Sequence, residues 1–166
     1  FDELKRNLNI YIISQDSSGK LTAPNVTLKN NLRNWLLQYK MINDTVDIMD
    51  AHIINLGLDF VIKPTTGVDK FSLVRSCITQ LQSHFLTRFY IGEPLYISDI
   101  YNSLKAVTGV LDVVKVKVVP KTASEYSSAE IDINTNISQD GDYVVCPANA
   151  IFEFKYPSVD FKGKVT

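Results

Sequence analysis

The 166 residues carry 45% hydrophobic and 21% charged side chains. That balance suits one folded domain with room for an appendage, burying roughly 70% of the unfolded surface. A formal net charge of −1, no apolar run near the roughly 20 residues that span a bilayer, and no N-terminal signal pattern lead us to expect neither nucleic acid nor membrane among the partners.

The chain begins Phe1-Asp2-Glu3 without a methionine, the expectation for a piece of something longer, and Phe1 to Arg6 is a charged lead-in. Leu8, Ile10 and Ile12 alternate with Asn7, Asn9 and Tyr11, which predicts a first strand. Asp16-Ser17-Ser18-Gly19 has no second glycine and no P-loop lysine, so it reads as a solvated turn. A long helix is expected from Val26 or Thr27, with Leu28, Leu32, Trp35, Leu36 and Tyr39 forming one apolar stripe. Trp35, the only tryptophan, is taken as a core anchor, with a role at a partner surface as the alternative.

After a connector at 41–44, Val46 to Met49 predicts a short strand. Asp44, Asp47 and Asp50 lack the central glycine and bidentate glutamate of a calcium loop and read as surface carboxylates. The clearest strand follows, with Ile54, Leu56, Leu58, Phe60 and Ile62 on one face before Pro64 and Gly67. His52 has no second ligand at a useful spacing. A second long helix is expected from about Asp69 to Phe89, with Phe71, Val74, Ile78, Leu81, Phe85 and Phe89 facing inward. Cys77 and His84 on that helix lie two turns apart, roughly 10.8 Å, too far for a nucleophile pair. Cys77 and Cys146 are expected to be buried free thiols.

From Tyr90 to Val119 the pattern is sharper. Gly92-Glu93-Pro94 breaks the chain, Ser98 is the expected N-cap, and Asp99 suits the first helical turn. Ile100, Leu104 and Val107 fall at helical spacing, and Gly109 is the expected left-handed stop. Val114, Val116 and Val118 then share one strand face, with Lys115 and Lys117 on the other, until Pro120. Gly92, the helix opening Ser98-Asp99-Ile100, and Val107-Thr108-Gly109-Val110-Leu111-Asp112-Val113 resemble the closing motif of J-like baseplate proteins. The nearest likeness is to the wedge proteins of T-even-type contractile-tailed phages, and it spans roughly Leu8 to Val119.

Past Pro120 the composition turns polar. Tyr143 to Cys146 and Ala150 to Tyr156 predict two short strands, with Phe152, Phe154 and Tyr156 on one face of the second and Phe161 beyond Pro157. Three such rings left open would expose about 450–750 Å², at or above the largest apolar patch of an ordinary monomer. We therefore expect residues 120–166 to form a β-containing arm whose Phe152, Phe154, Tyr156 and Phe161 add to a sheet edge, with a second copy favoured over its own domain. Residues 1–119 are expected to form an α+β domain of split-βαβ kind: a mixed or antiparallel sheet with two long helices and one short helix on one face. Strands 46–49 and 54–62 can be antiparallel neighbours in it. The core is expected from Leu32, Trp35, Leu36, Ile54, Leu58, Phe60, Ile78, Leu81 and Val116.

No catalytic residue, metal site, cofactor or small-molecule substrate is expected, because the histidines and cysteines stand isolated and no phosphate loop or nucleophile elbow occurs. The resemblance implies a structural component of the baseplate wedge, assembled in the host cytoplasm and carried in the virion tail. It implies self-association, as a homodimer or the inner baseplate ring, and contacts with other wedge proteins. The alternative is a protein-binding α+β module without catalytic activity.

Overall fold

The computed structural model describes residues 6–39, 44–86 and 89–166. The expected lead-in at 1–6 and connector at 41–44 lie outside them except for Arg6 and Asp44, which open strands. The fold is α+β, and it divides into two compact units, Phe1–His52 and Ile53–Thr166. The boundary expected at 119/120 thus falls inside the second unit.

The first unit contains β1 (Arg6–Ile12), a small hairpin of β2 (Ser14–Gln15) and β3 (Leu21–Thr22), α1 (Val26–Leu36) and β4 (Asp44–Asp50). Asp16 Oδ1 closes the hairpin turn by accepting from the N–H groups of Ser18 and Lys20, both at 2.9 Å. Gly19 takes the φ of +83° that the turn needs. β1 and β4 run parallel, in register from Arg6↔Asp44 to Ile12↔Asp50. A parallel pair requires a crossover, and α1 lies within it. Asn25 caps α1 by accepting from the Leu28 N–H at 2.8 Å, and Lys29 Nζ reaches Asp50 Oδ2 on β4 at 2.7 Å.

The strand at 46–49 therefore pairs with β1, and not with the strand at 54–62 as expected. Only Ala51 lies between β4 and the next strand, and one residue is too short for a hairpin return. α1 has no buried residue. Leu32 and Leu36 are half-buried, and Trp35, expected in the core, is 55% exposed.

The second unit is built on β5 (His52–Pro64), with α2 (Lys70–His84), β6 (Leu95–Tyr96), α3 (Ile97–Lys105) and β7 (Val110–Pro120) following. Then come α4 (Ile133–Asn136), β8 (Tyr143–Val144), β9 (Ala150–Glu153), α5 (Pro157–Asp160) and β10 (Phe161–Val165). The sheet is mixed, in the order β10-β5-β7, with β9 also on β5. β7 is antiparallel to β5 and β10 parallel to it. Ile54, Leu56, Leu58, Phe60 and Ile62 are all buried, as their alternation predicts. α2 packs on β10, and α3 on β7.

Three local expectations need correction. In α2 the buried row is Leu73, Cys77 and Leu81, with Val74, Ile78 and Phe85 flanking it. Phe71 lies about 120° around the helix axis from Cys77 and is 88% exposed. In β7, Lys115 pairs with Val61 but Val113 pairs with Ile62, so Val114 is the extra residue of a β-bulge. The bulge flips the alternation: Val113 joins Val118 in the core, Val116 is half-buried, and Val114 is 56% exposed. α3 starts at Ile97, not after a Ser98 cap, and Tyr96 makes no capping bond with its side chain. Instead the Ile97 N–H donates to the Asp142 carbonyl at 2.7 Å, because β8 pairs with β6 just upstream. Gly109 ends this region at φ +100°, as expected.

Candidate functional site

The segment expected to be an arm is woven into the second unit. β9 and β10 both join β5, so the tail does add strands to a sheet edge, but the edge is its own. Phe152 and Phe161 are buried, and Phe154 and Tyr156 half-buried. Phe154 stands 4.8 Å from Phe85 and 5.0 Å from Phe161 between ring centroids, while Phe89 meets Phe152 edge-on at 6.3 Å. Tyr156 meets Tyr126 at 5.6 Å. The rings at the end of α2 thus cover the tail aromatics, and Phe152 and Phe161 offer no surface to a second copy. Of the two packings expected for these aromatics, on a neighbour or across the domain edge, this arrangement is the second.

The other face of β5 is polar. Asn55, 1% exposed, donates from Nδ2 to Glu153 Oε2 at 2.8 Å and accepts at Oδ1 from the Ser127 N–H at 2.7 Å. Asp160, fully buried, accepts from Tyr126 Oη at 2.6 Å and from the Tyr156 N–H at 2.9 Å, with Lys121 Nζ 4.0 Å away. The bond to Asp160, reinforced by desolvation, pushes the Tyr126 phenol up to about 12. A Cβ on Gly57 would stand 3.0 Å from the Asp160 carbonyl oxygen, so glycine admits this close backbone approach. The cluster clasps residues 121–129 to the sheet, and every group in it has a partner.

Beyond the clasp the same face is open and basic. The register sets Lys162, Asp59 and Lys117 in one row across three strands, and Lys164, Val61 and Lys115 in the next. The four lysines are exposed. On the opposite face, a groove of about 680 Å³ runs between α2 and β10. Phe71, Val74, Ile78 and Val165 supply its apolar lining, Lys70 and Arg75 its charges, and among the described residues no acidic one lines it. The sequence placed Lys115 and Lys117 on an outer strand face. Lys162 and Lys164 escaped it, since the alternation of Phe161 to Val165 is blurred by Gly163. Phe71 escaped it through assignment to the core.

In the first unit, Val26, Leu28, Trp35, Leu37 and Tyr39 are exposed, and the Trp35 and Tyr39 rings lie 4.9 Å apart. Leu28 and Trp35, seven residues apart, fall on one side of α1.

Among the described residues the cysteines and histidines stand apart. Cys77 and Cys146 are buried free thiols, and burial pushes each up to about 11. Cys146 Sγ donates to the Ala150 carbonyl at 3.3 Å. His52 is exposed, and the His84 ring stands edge-on to Phe85 at 4.9 Å. Among the described residues no three His, Cys, Asp or Glu side chains gather as metal ligands.

These features describe an α+β chain whose distinctive surfaces are apolar and basic patches. Comparison with known protein families and with characterised proteins finds no match.

Proposed function

We propose that the chain is a structural assembly protein, a component of a contractile-tail baseplate wedge that self-associates into the inner ring and contacts other wedge subunits. On this reading it is made in the host cytoplasm and ends in the virion. The observation that carries self-association is the first unit. Its two sheets have only two strands each, too few to bury a core with one helix, and α1 has no buried residue while Trp35 and Tyr39 face solvent. Those two rings bring at most about 300–500 Å² of contact surface, around half of the ~800 Å² per partner of a standard interface. The resemblance over Gly92 to Val113 supplies the baseplate setting.

Trp35 makes a direct test available, because it is the only tryptophan. Its emission should shift to shorter wavelength as protein concentration rises and the indole leaves water. A spectrum unchanged across the concentration series would count against self-association through this helix. The alternative, a non-catalytic protein-binding module, is favoured by the α2 groove beside Phe71.

A further inference from the structure

The two edges of the second unit's sheet are built differently. β7 carries two register shifts, and its Val116 N–H is taken by Tyr101 Oη at 3.1 Å. Bulges and capped backbone donors are the means by which proteins close a sheet edge. β10 has an unbroken register with β5 and, among the described residues, no strand on its other side.

The surroundings of β10 are also two-sided. On the α2 face, Gly163 is required, because a Cβ there would stand 2.6 Å from Phe60 Cζ and 2.8 Å from Val74 Cγ1. That close packing leaves the groove lined by Phe71, Val74, Ile78 and Val165. On the other face stand Lys162 and Lys164, with Asp59 beside Lys162 and Lys115 and Lys117 one strand further in. Lysines on an edge strand also guard against aggregation. That role is selective: a second copy pairing through its own β10 would bring lysine against lysine, whereas an acidic strand meets the opposite charge.

We propose that the free edge of β10 docks an extended acidic segment of a partner protein, adding it as a strand. Successive side chains of a strand alternate between faces. The segment recognised therefore alternates apolar residues, seated against Phe71, Val74 and Ile78, with Asp or Glu set beside Lys162 and Lys164. Its paired length is about that of β10, five residues. Backbone bonds supply affinity and the two faces supply selectivity. This inference does not rest on self-association, which involves the other unit.

The test uses a fluorescently labelled ten-residue peptide alternating Val and Glu, titrated with the full chain and followed by anisotropy. Saturable binding is expected, weakening with added salt. It should fall about tenfold or more in the Lys162→Glu/Lys164→Glu variant and in Phe71→Asp. Melting should be unchanged in both, since all three residues are exposed. A peptide alternating Val and Lys should not bind. No saturable binding to the unaltered chain, equal binding of the lysine peptide, or binding indifferent to both variants would each overturn the proposal. So would displacement of the peptide by a ten-residue oligothymidylate, which would make the lysines a nucleic-acid surface.

Discussion

Phe60 and Gly163 illustrate how tightly single positions are specified. Phe60 is 1% exposed at the middle of β5, so Phe60→Ala should cost about 3–5 kcal/mol in denaturant melts. A loss under about 1 kcal/mol would contradict the register. Gly163→Ala fails for the opposite reason, overpacking Phe60 and Val74, with an expected cost of about 1–3 kcal/mol. Tyr126 gives a pH signature. Its phenol is raised to about 12 in the fold from the ordinary 10, so its contribution is complete below pH 10 and lost as pH rises through 12. Stability should therefore fall more steeply between pH 10 and 12 in the unaltered chain than in Tyr126→Phe. Parallel slopes would mean that the Asp160 bond is not made. The alternation of Ile54 to Ile62 made Phe60 legible from sequence alone. Nothing in the sequence linked Tyr126 to Asp160, because the two lie 34 positions apart and only tertiary folding creates their bond.

At the scale of elements, period and punctuation located the secondary structure well but not always its facing. β5 and α3 stand close to where their patterns put them, and Gly109 stops the chain as a left-handed glycine should. The face of β7 was misread because a bulge adds one residue without any mark in a run of valines. The register makes a direct prediction. Val114→Asp, on the exposed bulge, should change stability by no more than about 0.5 kcal/mol. Val113→Asp, which buries an unpaired carboxyl, should cost several kcal/mol or prevent folding. Equal effects would restore the simple alternation. The stripe of α2 was misjudged by including Phe71, since periodicity reports spacing and cannot say where the covered arc ends. β10 went unread because Gly163 and the break at Pro157 weaken a strand signal that its pairing with β5 supplies.

For the whole molecule, sequence spacing suggested a domain followed by an arm, whereas the chain returns its last residues to the strand that opens the second unit. Phe161 pairs with Leu58 across roughly a hundred residues, a closure invisible to any local pattern. Removing residues 121–166 should therefore abolish cooperative unfolding of the second unit, because β9 and β10 leave β5 together. A truncated chain that still melts in one sharp transition would show that the tail is an accessory. The candidate surfaces were partly legible: Trp35 was weighed as a partner contact, while the β10 edge was not seen.

The proposed self-association through α1 is tested most directly by sedimentation equilibrium across a concentration series. The mass of the unaltered chain should rise above that of one copy as concentration increases. The Leu28→Ser/Trp35→Ser variant, altered only at exposed positions of α1, should fold equally well and remain at the mass of one copy. A single-copy mass for the unaltered chain at every concentration would contradict the claim, as would association that the variant leaves intact.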